Sequence, residues 1–308
     1  MKIFVGVTDF DWFTLLASMR EIDEVNFWQP SGSATFRALG PGELFLFKLH
    51  APRNFIVGGG FFAYMSLLPV SLAWAAFATK NGASSLVEMR RRIARYRREP
   101  ASPFQDYTIG CVLLEQPFFL PESLWIPAPA DWAPNIVRGK GYDTREESGA
   151  ALWQAVSERL ALLPSSRLVV GDAAPLRFGP PTLVRPRLGQ GTFRILVTDA
   201  YGRRCAVTRE RTLPVLQAAH IRPYGQGGGH DVRNGLLLRS DLHLLFDDGY
   251  VTVTPDLRLE VSRRIREEFE NGRDYYALHG REIARPLPPF EPPDPELLRW
   301  HAETVYRG

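Results

Sequence analysis

The chain has 308 residues, is 45% hydrophobic and 12% aromatic, and carries a formal net charge of +3. That length suits two ordinary domains, and that apolar content excludes a globally disordered chain. Its two cysteines, Cys111 and Cys205, exclude a disulfide framework, and no C-x-x-C pair offers a zinc knuckle.

The 37 basic residues are lopsided, since only Lys2, Lys48, Lys80 and Lys140 are lysine and the rest are arginine. Arginine presents a planar fork that grips phosphate through two hydrogen bonds, which fits a nucleic-acid partner. A GC-rich coding sequence gives the same bias without function. The apolar run at 3–7 is short and meets Asp9 and Asp11, so it does not read as a signal peptide. Residues 54–79 carry no charge and are long enough to span a bilayer. Gly58-Gly59-Gly60 and Pro69 interrupt them, so 55–64 reads as a buried strand and 70–78 as a short core helix. The expectation is a soluble, cytoplasmic protein.

Residues 1–145 read as a compact α+β unit. A strand at 3–7 precedes a helix that Asp9 or Asp11 caps, ahead of Trp12 and Leu15-Leu16. Further strands are predicted at 43–48, 55–64 and 108–115. A helix at 84–98 ends among Arg90, Arg91, Arg92, Arg95, Arg97 and Arg98. Cations are favoured at a helix C-terminus, so this cluster reads first as a solvated face, and alternatively as a phosphate contact. An amphipathic helix at 145–163 and a Pro/Gly-spotted stretch form a linker and strap, 146–187. A second domain follows at 188–285. The tail, 286–308, holds Pro286, Pro288, Pro289, Pro292, Pro293 and Pro295 and a short helix through Trp300, expected to strap back.

The most informative segment is 205–250. A strand at 215–221 contains His220; a Gly-rich loop at 223–230 follows; Asn234-Gly235 signals a tight turn into a strand at 236–238. Ser240 or Asp241 then caps a helix bearing His243 and Asp247. These two stand four apart, share a helix face and suit one metal ion. Phosphodiester hydrolysis needs an activated water, a cation against the phosphate charge, and a base held in orientation. A strand-end histidine facing a helix-borne histidine supplies that set.

The runs AAHIRPY and RNGLLLRSDLHLLFDDG resemble the HNH (ββα-metal) endonuclease superfamily, with His220, Asn234 and His243 spaced by 14 and 9 residues (220 to 234 to 243). The resemblance implies His220 as general base, Asn234 as the residue that pins the loop and orients the base, and His243 as ligand of a catalytic Mg²⁺ or Mn²⁺, other transition metals staying open. The position before the base, a metal ligand in many relatives, is Ala219, so Asp247 or Asn234 is the further ligand expected. A structural zinc site of Cys205, His220, His230 and His243 is the alternative; alone, His230 reads as a solvated loop residue. Residues 185–239 hold ten Arg against Asp199, Glu210 and Asp231. Arg203, Arg204, Arg209 and Arg222 are the expected phosphate contacts.

In the first domain, EVNFWQP, RALGPGELFLFKLH and FIVGGGFFAY resemble the PUA-like superfamily, with the EVE, ASCH and SRA-type modules as nearest members. This implies a small β-barrel with helices that holds a flipped modified base between aromatic rings. Trp28 and Trp12, with Phe10 or Phe27, are the expected pocket, and core is the competing reading for each. A PUA-like reader joined to an HNH cutter implies a modification-dependent, type IV-like restriction enzyme. Its partner would be double-stranded DNA with 5-methyl- or 5-hydroxymethylcytosine, cut by a homodimer or a transient pair. An HNH nickase or homing-type enzyme reading sequence or RNA, a non-enzymatic zinc-stabilised nucleic-acid binder, and a membrane-associated protein are the alternatives.

Overall fold

A computed structural model describes residues 1–32, 36–97, 105–163 and 188–308. The chain divides into two compact units, Met1–Gly189 and Gln190–Gly308. Arg98 and residues 164–187 of the expected strap lie outside the described residues.

The first unit runs β1 (Lys2–Thr8), α1 (Phe10–Ala17), β2 (Glu24–Gln29), β3 (Leu44–Leu49), β4 (Phe55–Pro69), α2 (Val70–Phe77), α3 (Leu86–Tyr96), β5 (Thr108–Phe119), β6 (Ile126–Pro127), β7 (Gly139–Asp143) and α4 (Glu147–Ala161). Its sheet has the order β2-β5-β4-β3-β1-β7, with β6 on β4. β1 and β3 pair in parallel and the other pairs are antiparallel.

Every residue of β3 is buried, as a central strand covered on both faces requires. Alternation sends Leu44 and Leu46 to one face, with Ile3, Val5 and Leu152, Val156 and Leu160 of α4. Phe45 and Phe47 go to the other, with Trp12 and Leu16 of α1. The helix expected as a linker therefore belongs to the core of this unit.

Gly58 and Gly59 do not interrupt β4. A Cβ there would collide with the carbonyls of Phe118 and Phe45, so glycine is what lets neighbouring strands close up. Among the described residues no helix is long and apolar enough to cross a membrane.

Ser85 caps α3 by accepting the Glu88 N–H at 3.1 Å. Three arginines of the expected cluster are engaged within this unit. Arg92 lies 2.8 Å from Glu88, Arg91 also pairs with Glu88, and Arg97 donates to the Pro30 carbonyl at 2.9 Å.

The second unit runs α5 (Gln190–Ala200), β8 (Leu216–His220), β9 (Gly235–Arg239), α6 (Ser240–Asp247), β10 (Val251–Val253), β11 (Leu259–Val261), α7 (Arg264–Phe269), α8 (Arg273–Tyr276) and α9 (Pro295–Thr304). β8 and β9 form an antiparallel hairpin, registered from Leu216↔Arg239 to His220↔Gly235. Phe193 and Val197 of α5 join Leu216, Ala219, Leu236 and Leu238 in one core.

α6 follows β9 without a spacer. Neither Ser240 nor Asp241 caps it, because the N-cap position is Arg239, with no side-chain cap bond. Asp241 is committed instead to the Arg239 guanidinium through two 2.7 Å bonds.

The tail packs onto this unit. Asp294 accepts from Arg233 at 2.9 Å, and buried His301 of α9 stacks on Phe246, centroids 3.7 Å apart.

Candidate active site

His220 ends β8, where the ladder delivers it opposite Gly235. Its ring lies flat on Phe193, centroids 4.0 Å apart at 14°. Its Nε2 is 2.9 Å from His230 Nδ1. Burial, then the charge potential of His230 and His243, pushes its pKa down to about 4. The imidazole is therefore neutral at physiological pH, which a general base requires.

His243 faces the same space from α6. Its Nδ1 lies 2.7 Å from Gln217 Oε1. An amide oxygen only accepts, so Nδ1 carries a hydrogen, and in the neutral ring Nε2 presents a lone pair. That Nε2 is 3.2 Å from Asp247 Oδ2, one turn on.

With the ring neutral, these two acceptors face each other at a distance one cation can bridge, so the pair fits a divalent ion in kind. Ala219 is fully buried and has no donor to add. Among the described residues no three His, Cys, Asp or Glu side chains gather around one point. His243 and Asp247 thus offer two protein donors, a set suited to an ion that keeps waters and takes substrate oxygens.

Asn234 sits behind the cleft, 1% exposed. Its Oδ1 accepts from Arg222 N at 2.8 Å, and its Nδ2 donates to the Arg222 and Gly229 carbonyls at 2.9 and 2.8 Å. Both amide protons are used in tying the loop together, and the oxygen is engaged as well. That corrects the expectation of a metal ligand here.

The Asn-Gly pair is also not a tight turn. Asn234 closes a 3₁₀ turn and Gly235 is extended, with φ −128°. A Cβ at Gly235 would strike Val197 and Phe193, so glycine admits α5 against the hairpin.

The cleft has a volume of about 920 Å³; Phe193, Arg194, His220, His230, His243 and Asp247 lie along its wall. The expected phosphate contacts are elsewhere: Arg203, Arg204, Arg209 and Arg222 do not line it. Arg203 pairs with Asp199 at 3.1 Å, and Arg222 donates to Gln226 O at 2.7 Å with its guanidinium over Trp300. Arg194 is the arginine in the cleft, and burial lowers its pKa.

Sequence reasoning missed Arg194, Phe193 and Gln217, whose helix and strand positions carry no motif. Cys205 is in the core, its sulfur accepting from Thr208 N and Arg239 N at 3.4 and 3.3 Å, so the four-residue zinc set does not assemble.

In the first unit the four expected pocket aromatics separate. Trp12 is 2% exposed and meets Phe27 and Phe47 edge-on, so it is core and has no ring face open to a base. Phe27 packs beside it on Phe45. Phe10 is exposed beneath the Arg53 guanidinium, 3.9 Å away. Trp28 is half-buried, donates to Asn81 O at 3.0 Å and tilts against Tyr96. Tyr96 in turn stacks on His50 at 4° and donates to Asp9. Trp28, Tyr96 and His50 form a polar-edged aromatic surface.

Residues 205–254 match the HNH endonuclease family. This stretch is an HNH endonuclease domain. It contains the hairpin, the loop and α6, and so His220, His230, Asn234, His243 and Asp247. No curated protein matches the chain. Among solved structures, the chain is similar to ASCH from Zymomonas mobilis at 11% identity and a TM-score of 0.32, covering 49% of this chain and 94% of that one. It is also similar to the modification dependent TagI restriction endonuclease at 15% identity and a TM-score of 0.28, covering 97% of this chain and 81% of that one.

Proposed function

We propose that the chain is a modification-dependent DNA endonuclease, in which the HNH domain hydrolyses the phosphodiester and the first unit reads a flipped 5-methyl- or 5-hydroxymethylcytosine. The observation that carries the cutting role is the convergence on one cleft of a neutral, ring-stacked histidine and a His–Asp pair with facing acceptor atoms.

His220 takes a proton from the water that attacks phosphorus in line. His243 and Asp247 hold a divalent cation, Mg²⁺ or Mn²⁺, which when bound neutralises charge on the phosphate and the leaving 3′-oxygen. Asn234 keeps the loop beside the base in one conformation. Arg194 offers a second positive charge to the phosphate from the cleft wall. Arg203, Arg204, Arg209 and Arg222 serve the flanking backbone, outside the cleft.

The reading role rests on the sequence resemblance to PUA-like modules and on the aromatic surface of Trp28, Tyr96 and His50, with Phe10 nearby. A flipped base gains a stacking partner there, offsetting the few kcal/mol lost on leaving the duplex. A single HNH site cuts one strand at a time, so double-strand breaks need two copies, as a homodimer or a transient pair on DNA.

The test is cleavage of one plasmid prepared unmodified, with 5-methylcytosine and with 5-hydroxymethylcytosine, in Mg²⁺, Mn²⁺ or EDTA, beside His220→Ala. Metal-dependent cutting of modified DNA alone, lost in the variant, is the expected result. Cutting of every substrate alike would remove the reader and keep the nuclease.

A further inference from the structure

Beside His220 and His243 of the HNH pattern, the cleft is lined by His230 and His301, and His230 is the one that touches the base. His230 lies at the end of the Gly-rich loop, yet it is held as firmly as the motif residues. Its Nδ1 is 2.9 Å from His220 Nε2, and its ring is parallel to that of Tyr224, 9° apart with centroids at 4.9 Å.

The loop is built to deliver it. Asn234 Nδ2 binds the carbonyl of Gly229, the residue before it, at 2.8 Å. Gly228 passes so close to the Arg222 carbonyl that any Cβ would collide with it, and Gly227 turns at φ +87°. A loop histidine of no consequence does not need its neighbour anchored by a buried amide.

Chemistry limits what the contact means. One of the two facing nitrogens donates and the other accepts. Either way His220 Nε2 is occupied by His230, so a lone pair offered to water must come from Nδ1. As the base, His220 therefore needs its hydrogen on Nε2, donated to His230.

We propose that His230 is the proton partner of His220, a positioning residue that fixes the tautomer of the base and receives the proton passed on from it. The inference rests on the nuclease reading above. As the water O–H breaks, its proton bonds to His220 Nδ1. The His220 Nε2–H proton moves to His230 Nδ1. The hydroxide so formed bonds to phosphorus as the bond to the 3′-oxygen breaks, and that oxygen takes a proton from solvent. The positive charge ends on His230, beneath the exposed ring of Tyr224 at the cleft rim, and not on the ring buried against Phe193.

The experiment compares wild type, His230→Gln and His230→Ala in steady-state cleavage of the plasmid that wild type cuts, with saturating metal and a single-turnover control for the chemical step. Glutamine keeps a hydrogen bond to Nε2 but cannot hold the proton. His230→Gln is expected to lower kcat by about 10- to 100-fold with KM for DNA within about twofold, and added imidazole to restore part of the activity of His230→Ala in proportion to its free-base form. Undiminished kcat in His230→Gln, or a loss in KM alone, overturns the relay.

A second measurement needs no turnover. Long-range ¹H–¹⁵N spectra of the full chain are expected to show His220 as the Nε2–H tautomer, perturbed in His230→Ala; the Nδ1–H tautomer overturns the assignment. A wild-type chain that cuts no DNA overturns the nuclease reading itself and, with it, the relay role, while the spectra still decide the contact between the two rings.

Discussion

Gln217 Oε1 holds His243 Nδ1 at 2.7 Å, across 26 residues of sequence. The bond orients the ring so that Nε2 meets Asp247. Partners of this kind set ligand basicity and direction, and their loss typically costs 10- to 100-fold in metal affinity. Gln217→Ala is therefore expected to weaken Mn²⁺ binding by about that factor. Gln217 is exposed, so thermal stability should stay near that of wild type. Calorimetric titration of Mn²⁺ checks it, and unchanged affinity would detach Gln217 from the site.

Asn234 offers a test of how the loop is held. Asn234→Ala removes three hydrogen bonds from a buried position, with an expected loss of about 2–4 kcal/mol. Asn234→Asp is expected to be at least as damaging despite its shape. A carboxylate cannot donate, so it would face the Arg222 and Gly229 carbonyls with charge and no proton. Urea denaturation of both variants decides the order; a milder Asp variant would mean that shape, not donation, holds the loop.

The HNH stretch was the most legible part of the chain because its chemistry is local. His220, Asn234 and His243 lie within one hairpin and the helix after it, and the period-2 and 3.6 patterns fix those elements. Phe193, Arg194 and Gln217 were not legible. They reach the cleft through packing of α5 on the hairpin and through a single side-chain bond, neither of which leaves a spacing signal. One glycine misled. Gly235 makes room for the Val197 and Phe193 side chains of α5, yet after Asn234 it read as a tight turn, whereas the strand expected through Gly58 and Gly59 is present as β4. Linker and core helices look alike too, since both show one apolar face; only tertiary contact assigns α4 to the first unit.

The aromatics of the first unit divide by burial into two kinds of variant. Trp12→Ala empties a fully packed position and is expected to cost about 3–5 kcal/mol of stability. Trp28→Ala is expected to cost less stability and to weaken binding to modified DNA by about 5- to 150-fold, the worth of one base stacked on an aromatic ring at about 1–3 kcal/mol. Fluorescence anisotropy on modified and unmodified duplexes, paired with thermal melts, separates the two effects. A Trp28→Ala protein that binds both duplexes as wild type does would move the reading surface elsewhere.

His301 makes the second unit sensitive to acid. It is 2% exposed, its Nε2–H donates to the Phe246 carbonyl at 3.1 Å, and Thr252 donates to its Nδ1 at 2.9 Å. Burial pushes its pKa down to about 4, against a smaller opposing pull from the Phe246 carbonyl. The unfolded chain, with an ordinary histidine pKa near 6.5, binds the proton first. Between those two values the unfolded state holds more protons, so stability is full above about pH 6.5 and falls as pH drops towards 4, by at most about 1.4 kcal/mol per pH unit for this one group. His220 shifts the same way and adds to the slope. Because His301 braces α6 through Phe246, the acid limb should also loosen the helix that carries His243. Urea midpoints from pH 7.5 to 4.5 are expected to fall steadily in wild type. In His301→Gln they should start lower, because the ring no longer stacks on Phe246, and decline less, because one titrating group is gone. An equal slope in the variant would place the acid sensitivity in His220 or outside both residues.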